Sequence, residues 1–140
     1  MKVKIKKLAS NAVLPTYAHP ADAGMDLTVT RIEEDAQNFI CYFGLAFEIP
    51  YGYMGLIFPR SSNCKKDLIL SNSVGIVDSN YRGEVQARFK KLASPFAEKY
   101  SVGDRAAQIV IVPYPHIEWE EVSVLGETDR GEKGHGSTGR

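Results

Sequence analysis

Short runs of alternating apolar and polar residues, broken by glycine and proline, constrain this chain more than any other feature. Val3 and Ile5 alternate with lysines. Leu45, Phe47 and Ile49 alternate with Ala46 and Glu48, and Pro50-Tyr51-Gly52 then turns the chain. Val85, Ala87 and Phe89 share one face, with Gln86, Arg88 and Lys90 on the other. Successive side chains of a strand point to opposite faces, so each run can bury one side of a sheet. Ile109-Val110-Ile111-Val112 is β-branched throughout, which predicts a strand buried on both sides. No segment sustains helical periodicity for three turns. Many short strands between turn residues predict an all-β antiparallel sandwich or barrel. One short helix is expected just after Pro59, with Ser61 or Ser62 as N-cap and Asn63 to Asp67 as its first turns. Ser94-Pro95 opens a further turn.

At 140 residues the chain is one domain of a size that supports a sizeable core. Lysine plus arginine is 17 and aspartate plus glutamate is 17, a formal net charge of zero. That balance excludes a protein held to nucleic acid mainly by phosphate neutralisation, so any polyanion must be met by a local cluster of donors. The longest apolar run, Ala106 to Pro113, is interrupted by Gln108 and falls far short of the roughly 20 residues that cross a bilayer. Met1 to Lys7 alternates charge with hydrophobe and has no apolar segment after it, unlike a secretory signal, so a cytoplasmic protein is expected. Cys41 and Cys64 are far apart and are expected to be buried, reduced thiols. No two of His19, His116 and His135 stand at metal-ligand spacing, and no protein-ligated zinc is expected.

The composition changes near the end. Residues 1–125 read as the β core. Residues 126–140 (GETDRGEKGHGSTGR) hold five glycines and no large aliphatic residue, and cannot bury enough apolar surface to order alone. Arg130, Lys133, His135, Ser137 and Thr138 are donors on a glycine-rich backbone, suited to closing over an anion. Gly134 to Gly139 is a formal GxGxxG, but it lacks the following helix that a dinucleotide fingerprint needs, and GxxxxGK[ST] is absent.

Two further segments suit phosphate. Pro59-Arg60-Ser61-Ser62-Asn63 gathers a guanidinium, two hydroxyls and the amides of a helix start. Asp104-Arg105-Ala106-Ala107-Gln108 places Arg105 and Gln108 at the head of a strand. Taken alone, each also suits an ordinary ion pair or turn. Gly75 to Val85 (GIVDSNYRGEV) reads as a β-hairpin whose Asp78 could take a proton from water. Ala23-Gly24-Met25-Asp26-Leu27 repeats a lone aspartate among apolar neighbours. Both carboxylates are expected to face arginines or a cation.

AGMDL, PRSSN, GIVDSNYRGEV, GDRAAQIV and RGEKGHGSTG occur in that order, from Ala23 to Gly139. This resembles the five-motif signature of the homotrimeric deoxyuridine triphosphatases (dUTPases). The resemblance implies a jelly-roll β fold, a trimer with exchanged C-terminal segments, and active sites each built from three chains. The motifs containing Asp26, Arg60 and Gln108 would come from one subunit, the segment containing Asp78 from a second, and the tail from a third as a lid. It implies a dUTP diphosphatase that cleaves dUTP to dUMP and pyrophosphate. Asp78 would orient and deprotonate the water attacking the α-phosphorus, and Tyr81 would lie beneath the deoxyribose, leaving no space for a 2′-hydroxyl. Uracil would be read by Asn72 and by backbone groups of Gly75 and Val77. Ser61 would donate to the α–β bridging oxygen, while Arg60, Ser62 and Gln108 hold phosphates. Arg130, Gly136, Ser137 and Thr138 would close over the γ-phosphate, with His135 on the base. Mg²⁺ would be bound through the triphosphate and water, not directly by protein, with Asp26 orienting metal-bound water or an arginine.

The chain departs from the family pattern in four places. His135 stands where phenylalanine usually stacks on uracil, Lys133 replaces a common glycine, Asn80 stands where aspartate is frequent, and Ser62-Asn63 replaces the commoner Gly-Leu. A dCTP deaminase shares the fold, but the segment with Asp78 and Tyr81, together with the phosphate lid, suits dUTP cleavage better. A nucleotide-sensing module, in which closure of the tail switches a regulatory protein partner, is an added role that the resemblance admits.

Overall fold

The computed structural model describes residues 1–92 and 98–134. Ten strands form among the described residues: β1 (Lys4–Lys7), β2 (Met25–Thr28), β3 (Arg31–Glu34), β4 (Asn38–Tyr42), β5 (Leu45–Glu48), β6 (Tyr53–Pro59), β7 (Leu68–Leu70), β8 (Gly75–Val77), β9 (Gln86–Lys91) and β10 (Arg105–Pro113). Two antiparallel four-stranded sheets, in the orders β2-β10-β6-β8 and β3-β4-β9-β7, form a jelly-roll-like sandwich, and β1 pairs separately with β5. The all-β expectation therefore holds. The expected Ser94-Pro95 turn lies outside the described residues.

The alternation seen in the sequence is what joins the sheets. Ala87 and Phe89 of β9 point inward, as do Phe39 and Cys41 of β4. Across the sandwich they meet a core that includes Leu27 of β2, Ile57 of β6 and Ile109 of β10. Gly44 turns the chain from β4 into β5 at φ +63°, a backbone conformation that glycine adopts without strain. Ala46 is buried although its place in the alternation predicted exposure. It stands opposite Lys6 across the β1–β5 pair, where the lysine's aliphatic stem can cover a small side chain.

Three further expectations need correction. Gly75 to Val85 is not a hairpin: β8 pairs with β6 in one sheet, while the chain after the Asp78–Tyr81 turn enters β9 in the other. Local alternation cannot reveal to which sheet a strand belongs. The helix after Pro59 is a single 3₁₀ segment, Ser61–Lys65. Its N-cap is Arg60 and no side chain caps it, because neither seryl hydroxyl turns back onto the backbone. β10 is buried on one face only. Ile109 is enclosed, but Val110 and Val112 are half-buried and lie beside Leu56 and Met54 of β6 in one apolar row, which Ile76 of β8 extends at 63% exposure.

Beyond β10 no strand forms among the described residues. Residues 115–134 are exposed throughout, and Trp119, at 93% exposure, stands among exposed Ile117, Val122, Val124 and Leu125. Among the described residues no helix is long and apolar enough to cross a membrane.

Candidate active site

Asp26 lies on β2, opposite Gln108 of β10, and Gln108 in turn lies opposite Phe58 of β6. This register carries Asp26 to the end of β6 from which Arg60 and the 3₁₀ turn emerge. Asp26 Oδ1 accepts a hydrogen bond from Arg60 Nε at 2.7 Å, and Oδ2 accepts one from an Arg105 terminal nitrogen at 3.0 Å. The carboxylate is thus held between two guanidinium groups, and the expectation that Asp26 faces arginines holds. Arg60 is held by this one charge-assisted bond from Nε and by a longer one, 3.5 Å, from a terminal nitrogen to the Arg105 carbonyl.

Around this pair lies a cleft of about 380 Å³ that also reaches Ser61, Gln108, Gly24 and the 16–23 loop. Gly24 lies close under Gln108: a Cβ there would come within 2.6 Å of Gln108 Oε1, so the glutamine side chain would have to move. Gln108 donates from its amide nitrogen to the Pro59 carbonyl at 3.3 Å, tying β10 to the residue before Arg60. On the other side of Arg60 a second cleft, about 350 Å³, holds Ser62, Lys65, Lys66 and Arg105. Among the described residues neither Ser61 nor Ser62 spends its hydroxyl on a protein partner. A surface with two arginines, two lysines and two free hydroxyls around a fixed carboxylate is suited to a polyphosphate.

Asn63 anchors the 3₁₀ turn from below. Its side-chain amide donates to the Leu68 carbonyl at 2.8 Å, and its oxygen accepts the Tyr100 hydroxyl at 3.0 Å. Burial pushes the Tyr100 phenol up to about 12, so it remains a donor at any ordinary pH.

Asn72, Gly75, Val77, Asp78 and Tyr81 form a second group along β8 and the turn after it. Asn72 precedes a backbone reversal at Ser73, φ +59°, and its amide nitrogen lies 3.5 Å from where a Gly75 Cβ would sit. β8 is an edge strand, paired only to β6. Its outer peptide groups are free to read a planar base, as on any open sheet edge. Asp78 is exposed and has no ion-pair partner among the described residues of the single chain.

The two groups stand apart within one chain. Asp78 follows Val77, which pairs with Gly55, whereas Asp26 shares its level with Phe58. Four residues along the strands and three strand spacings across the sheet put Asp78 about 20 Å from Asp26. Arg130 lies in the exposed segment after β10, where Nε donates to the Lys133 carbonyl at 3.1 Å. His135, Gly136, Ser137 and Thr138 lie outside the described residues.

The dUTPase family model matches residues 10–139, the span that holds all five motifs. The chain belongs to the dUTPase family. It is 39% identical over 148 residues to the deoxyuridine 5′-triphosphate nucleotidohydrolase of Anaplasma marginale, covering 99% of both chains. Among solved structures, this dUTPase resembles that of Staphylococcus bacteriophage 80alpha bound to dUpNHpp, with a TM-score of 0.82 and 28% identity over 99% of both chains. That phage enzyme is described as controlling transfer of virulence genes by a proto-oncogenic G protein-like mechanism. It also resembles a mutant dUTPase of phage phi11 of S. aureus in which a structural Mg(II) ion is coordinated, with a TM-score of 0.75 and 26% identity over 89% of this chain and 99% of that one.

Sequence reasoning left Arg105 out of the residues that make the site, although it named the segment that holds it. Two lone charges of opposite sign, Asp26 and Arg105, in separate motifs were the available signal. The Thr16 and Asp22 lining of the cleft had no comparable signal, since Asp22 serves locally by accepting the His19 amide at 2.8 Å.

Proposed function

We infer that this dUTPase hydrolyses dUTP to dUMP and pyrophosphate by in-line attack of water on the α-phosphorus, which keeps uracil out of DNA and supplies dUMP for thymidylate synthesis. The observation that carries the reading is the Asp26 carboxylate clamped between Arg60 and Arg105, beside the free hydroxyls of Ser61 and Ser62. Arg60, Ser62 and Gln108 hold the phosphate chain and Ser61 donates to the α–β bridging oxygen, where charge develops as that bond breaks. Asp78 holds and deprotonates the attacking water. A carboxylate is a weak base, so positioning supplies much of its effect.

Tyr81 is the floor beneath the deoxyribose. Asn72 and the outer edge of β8, at Gly75 and Val77, read uracil. A C5 methyl would press on that edge, which excludes thymine. Arg130, Ser137 and Thr138 close over the γ-phosphate, Gly136 lets the backbone approach it, and His135 covers the base. Closure shields the reaction from bulk water. The donor set fits Mg²⁺ carried by the triphosphate. Both oxygens of Asp26 are engaged by guanidinium groups, and the described residues hold no cluster of three metal-binding side chains. Bound in that way the ion neutralises phosphate charge.

The site is completed between copies of the chain, in a homotrimer. Three observations support this: the span of about 20 Å between Asp78 and Asp26 in one chain, the half-covered apolar row on β6 and β10, and the exposed apolar segment around Trp119. That segment, Ile117 to Leu125, carries Glu118, Glu120 and Glu121, complementary to the lysines of β1.

The decisive experiment measures pyrophosphate release from dUTP, dCTP, dTTP and UTP, with Asp78→Asn beside the parent chain. Release from dUTP alone, lowered by several orders of magnitude in Asp78→Asn while dUpNHpp still binds, is expected. Near-normal turnover in that variant removes Asp78 from the mechanism. A second role, as a nucleotide-gated partner of a regulatory protein, is favoured by the likeness to the phage 80alpha enzyme. Pull-down with and without dUpNHpp tests it.

A further inference from the structure

We propose that Glu84 and Gly83 are positioning residues that seat Tyr81, and that through Tyr81 they set the preference of the site for deoxyribose over ribose. The proposal rests on the reading of Tyr81 as the floor beneath the sugar. It adds two residues to which no contact with nucleotide is assigned.

Tyr81 is 43% exposed and has no core packing to hold its ring. An exposed tyrosine ordinarily samples several rotamers, and a mobile ring cannot discriminate one hydroxyl. Here the ring is folded back along its own chain. Its hydroxyl donates to the Glu84 carbonyl at 3.1 Å. It can do so only because residue 83 is glycine: a Cβ there would overlap the phenol, lying only 2.9 Å even from Cε2.

The Glu84 carbonyl is in turn fixed. Glu84 Oε1 accepts the Gly44 backbone N–H at 2.8 Å, and the next amide, Val85 N–H, donates to the Leu45 carbonyl at 2.9 Å. These two bonds span 40 residues of sequence and fasten the chain after Tyr81 to the turn between β4 and β5. That turn is itself rigid. The Gly44 carbonyl accepts the Leu8 N–H at 2.7 Å, and the Gly44 Cα is packed so closely that a Cβ would meet Ala9 at 2.9 Å. On the near side of Tyr81, the Arg82 guanidinium donates to the Ser79 carbonyl at 2.7 Å and to the Tyr81 carbonyl at 2.9 Å, closing the turn that begins at Asp78. The ring position is therefore inherited from the core through Gly44, Glu84 and the phenol hydroxyl.

A tether of this kind acts on one property above others. The depth of the floor decides whether a 2′-hydroxyl clashes, so loosening it relaxes discrimination between dUTP and UTP. A merely structural role would lower both activities together and leave their ratio unchanged.

The test is kcat/KM for dUTP and for UTP in the full-length chain and in Tyr81→Ala, Tyr81→Phe, Gly83→Ala, Glu84→Ala and Glu84→Gln. Tyr81→Ala is expected to collapse the dUTP/UTP ratio. Tyr81→Phe and Glu84→Ala should each lower it about threefold to tenfold, the span of one hydrogen bond, and Gly83→Ala by at least as much. Glu84→Gln should stay within about twofold of the parent, because its amide oxygen still accepts from Gly44. If Tyr81→Ala collapses the ratio while Tyr81→Phe and Glu84→Ala leave it unchanged, the proposal is overturned and the sugar-floor reading stands. If Tyr81→Ala also leaves it unchanged, both fall. Equal losses in Glu84→Gln and Glu84→Ala overturn the role of Glu84 as an acceptor. Should Glu84→Ala fail to fold, Tyr81→Phe removes the tether alone and decides.

Discussion

Asp26 and Arg60, 34 residues apart in sequence, meet through a 2.7 Å hydrogen bond from Nε to Oδ1, and both are about three-quarters shielded from solvent. The arginine proposed to hold the phosphates is thus set by a carboxylate on a different strand. Replacing that carboxylate leaves two guanidinium groups uncompensated and free to turn.

Asp26→Asn should lower kcat/KM for dUTP by roughly tenfold to a hundredfold, the range of a charge-assisted hydrogen bond. Unchanged kcat/KM in this variant would show that the clamp does not position Arg60.

The distance between Asp78 and Asp26 predicts complementation between chains. Asp78→Asn and Arg60→Ala chains are each expected to be nearly inactive alone. After unfolding and refolding together in equal amounts, about a quarter of the sites combine an intact Asp78 with an intact Arg60, since each comes intact from half the chains. Recovery of roughly that fraction of parent activity is expected. No recovery would mean that both groups of a site come from one chain.

Asp35 predicts a pH dependence at the β3–β4 turn. The Asn38 side chain, then the Gln37 and Asn38 amides, donate to its carboxylate, which is lowered from 3.8 to about 2. A depressed folded value means the unfolded state binds protons first as pH falls. The turn's contribution is then complete above about pH 4 and is lost as pH falls through about 2. NMR titration should show the Gln37 and Asn38 amides shifting with a midpoint near 2, and Asp35→Asn should abolish that step. A midpoint near 4 would remove the hydrogen bonds from the account.

The cysteines should differ sharply. Cys41 is enclosed in the core, and burial pushes its thiol up to about 12, whereas Cys64 is exposed on the 3₁₀ turn. Because the thiolate is the reactive form, iodoacetamide at pH 8 should modify Cys64 in the native protein and reach Cys41 only after denaturation. Mass spectrometry of the alkylated peptides measures this. Equal modification of both in the native state would contradict the core packing.

Much of the fold was legible from period-two patterning, because burial is decided residue by residue along a strand. The inward faces of Ala87 and Phe89 follow that rule. Sheet membership does not, and so the segment from Gly75 to Val85 reads as a hairpin although its two arms enter different sheets. The residues proposed to bind phosphate were legible as residue types, with hydroxyls and arginines gathered around Pro59. Their geometry was not, because the Asp26–Arg60 contact depends on β10 lying between β2 and β6. Cys64 was expected to be buried on residue type alone, and the 3₁₀ turn that exposes it has no apolar period to reveal it. The burial expected for both faces of β10 failed because that run has more apolar surface than one chain can cover.

Trp119 carries a practical consequence. It is the only indole in the sequence and stands bare in the single chain, so its fluorescence is a built-in gauge of association. Emission typical of water in a dilute sample, moving to shorter wavelength as protein concentration rises, would count copies coming together with no label attached.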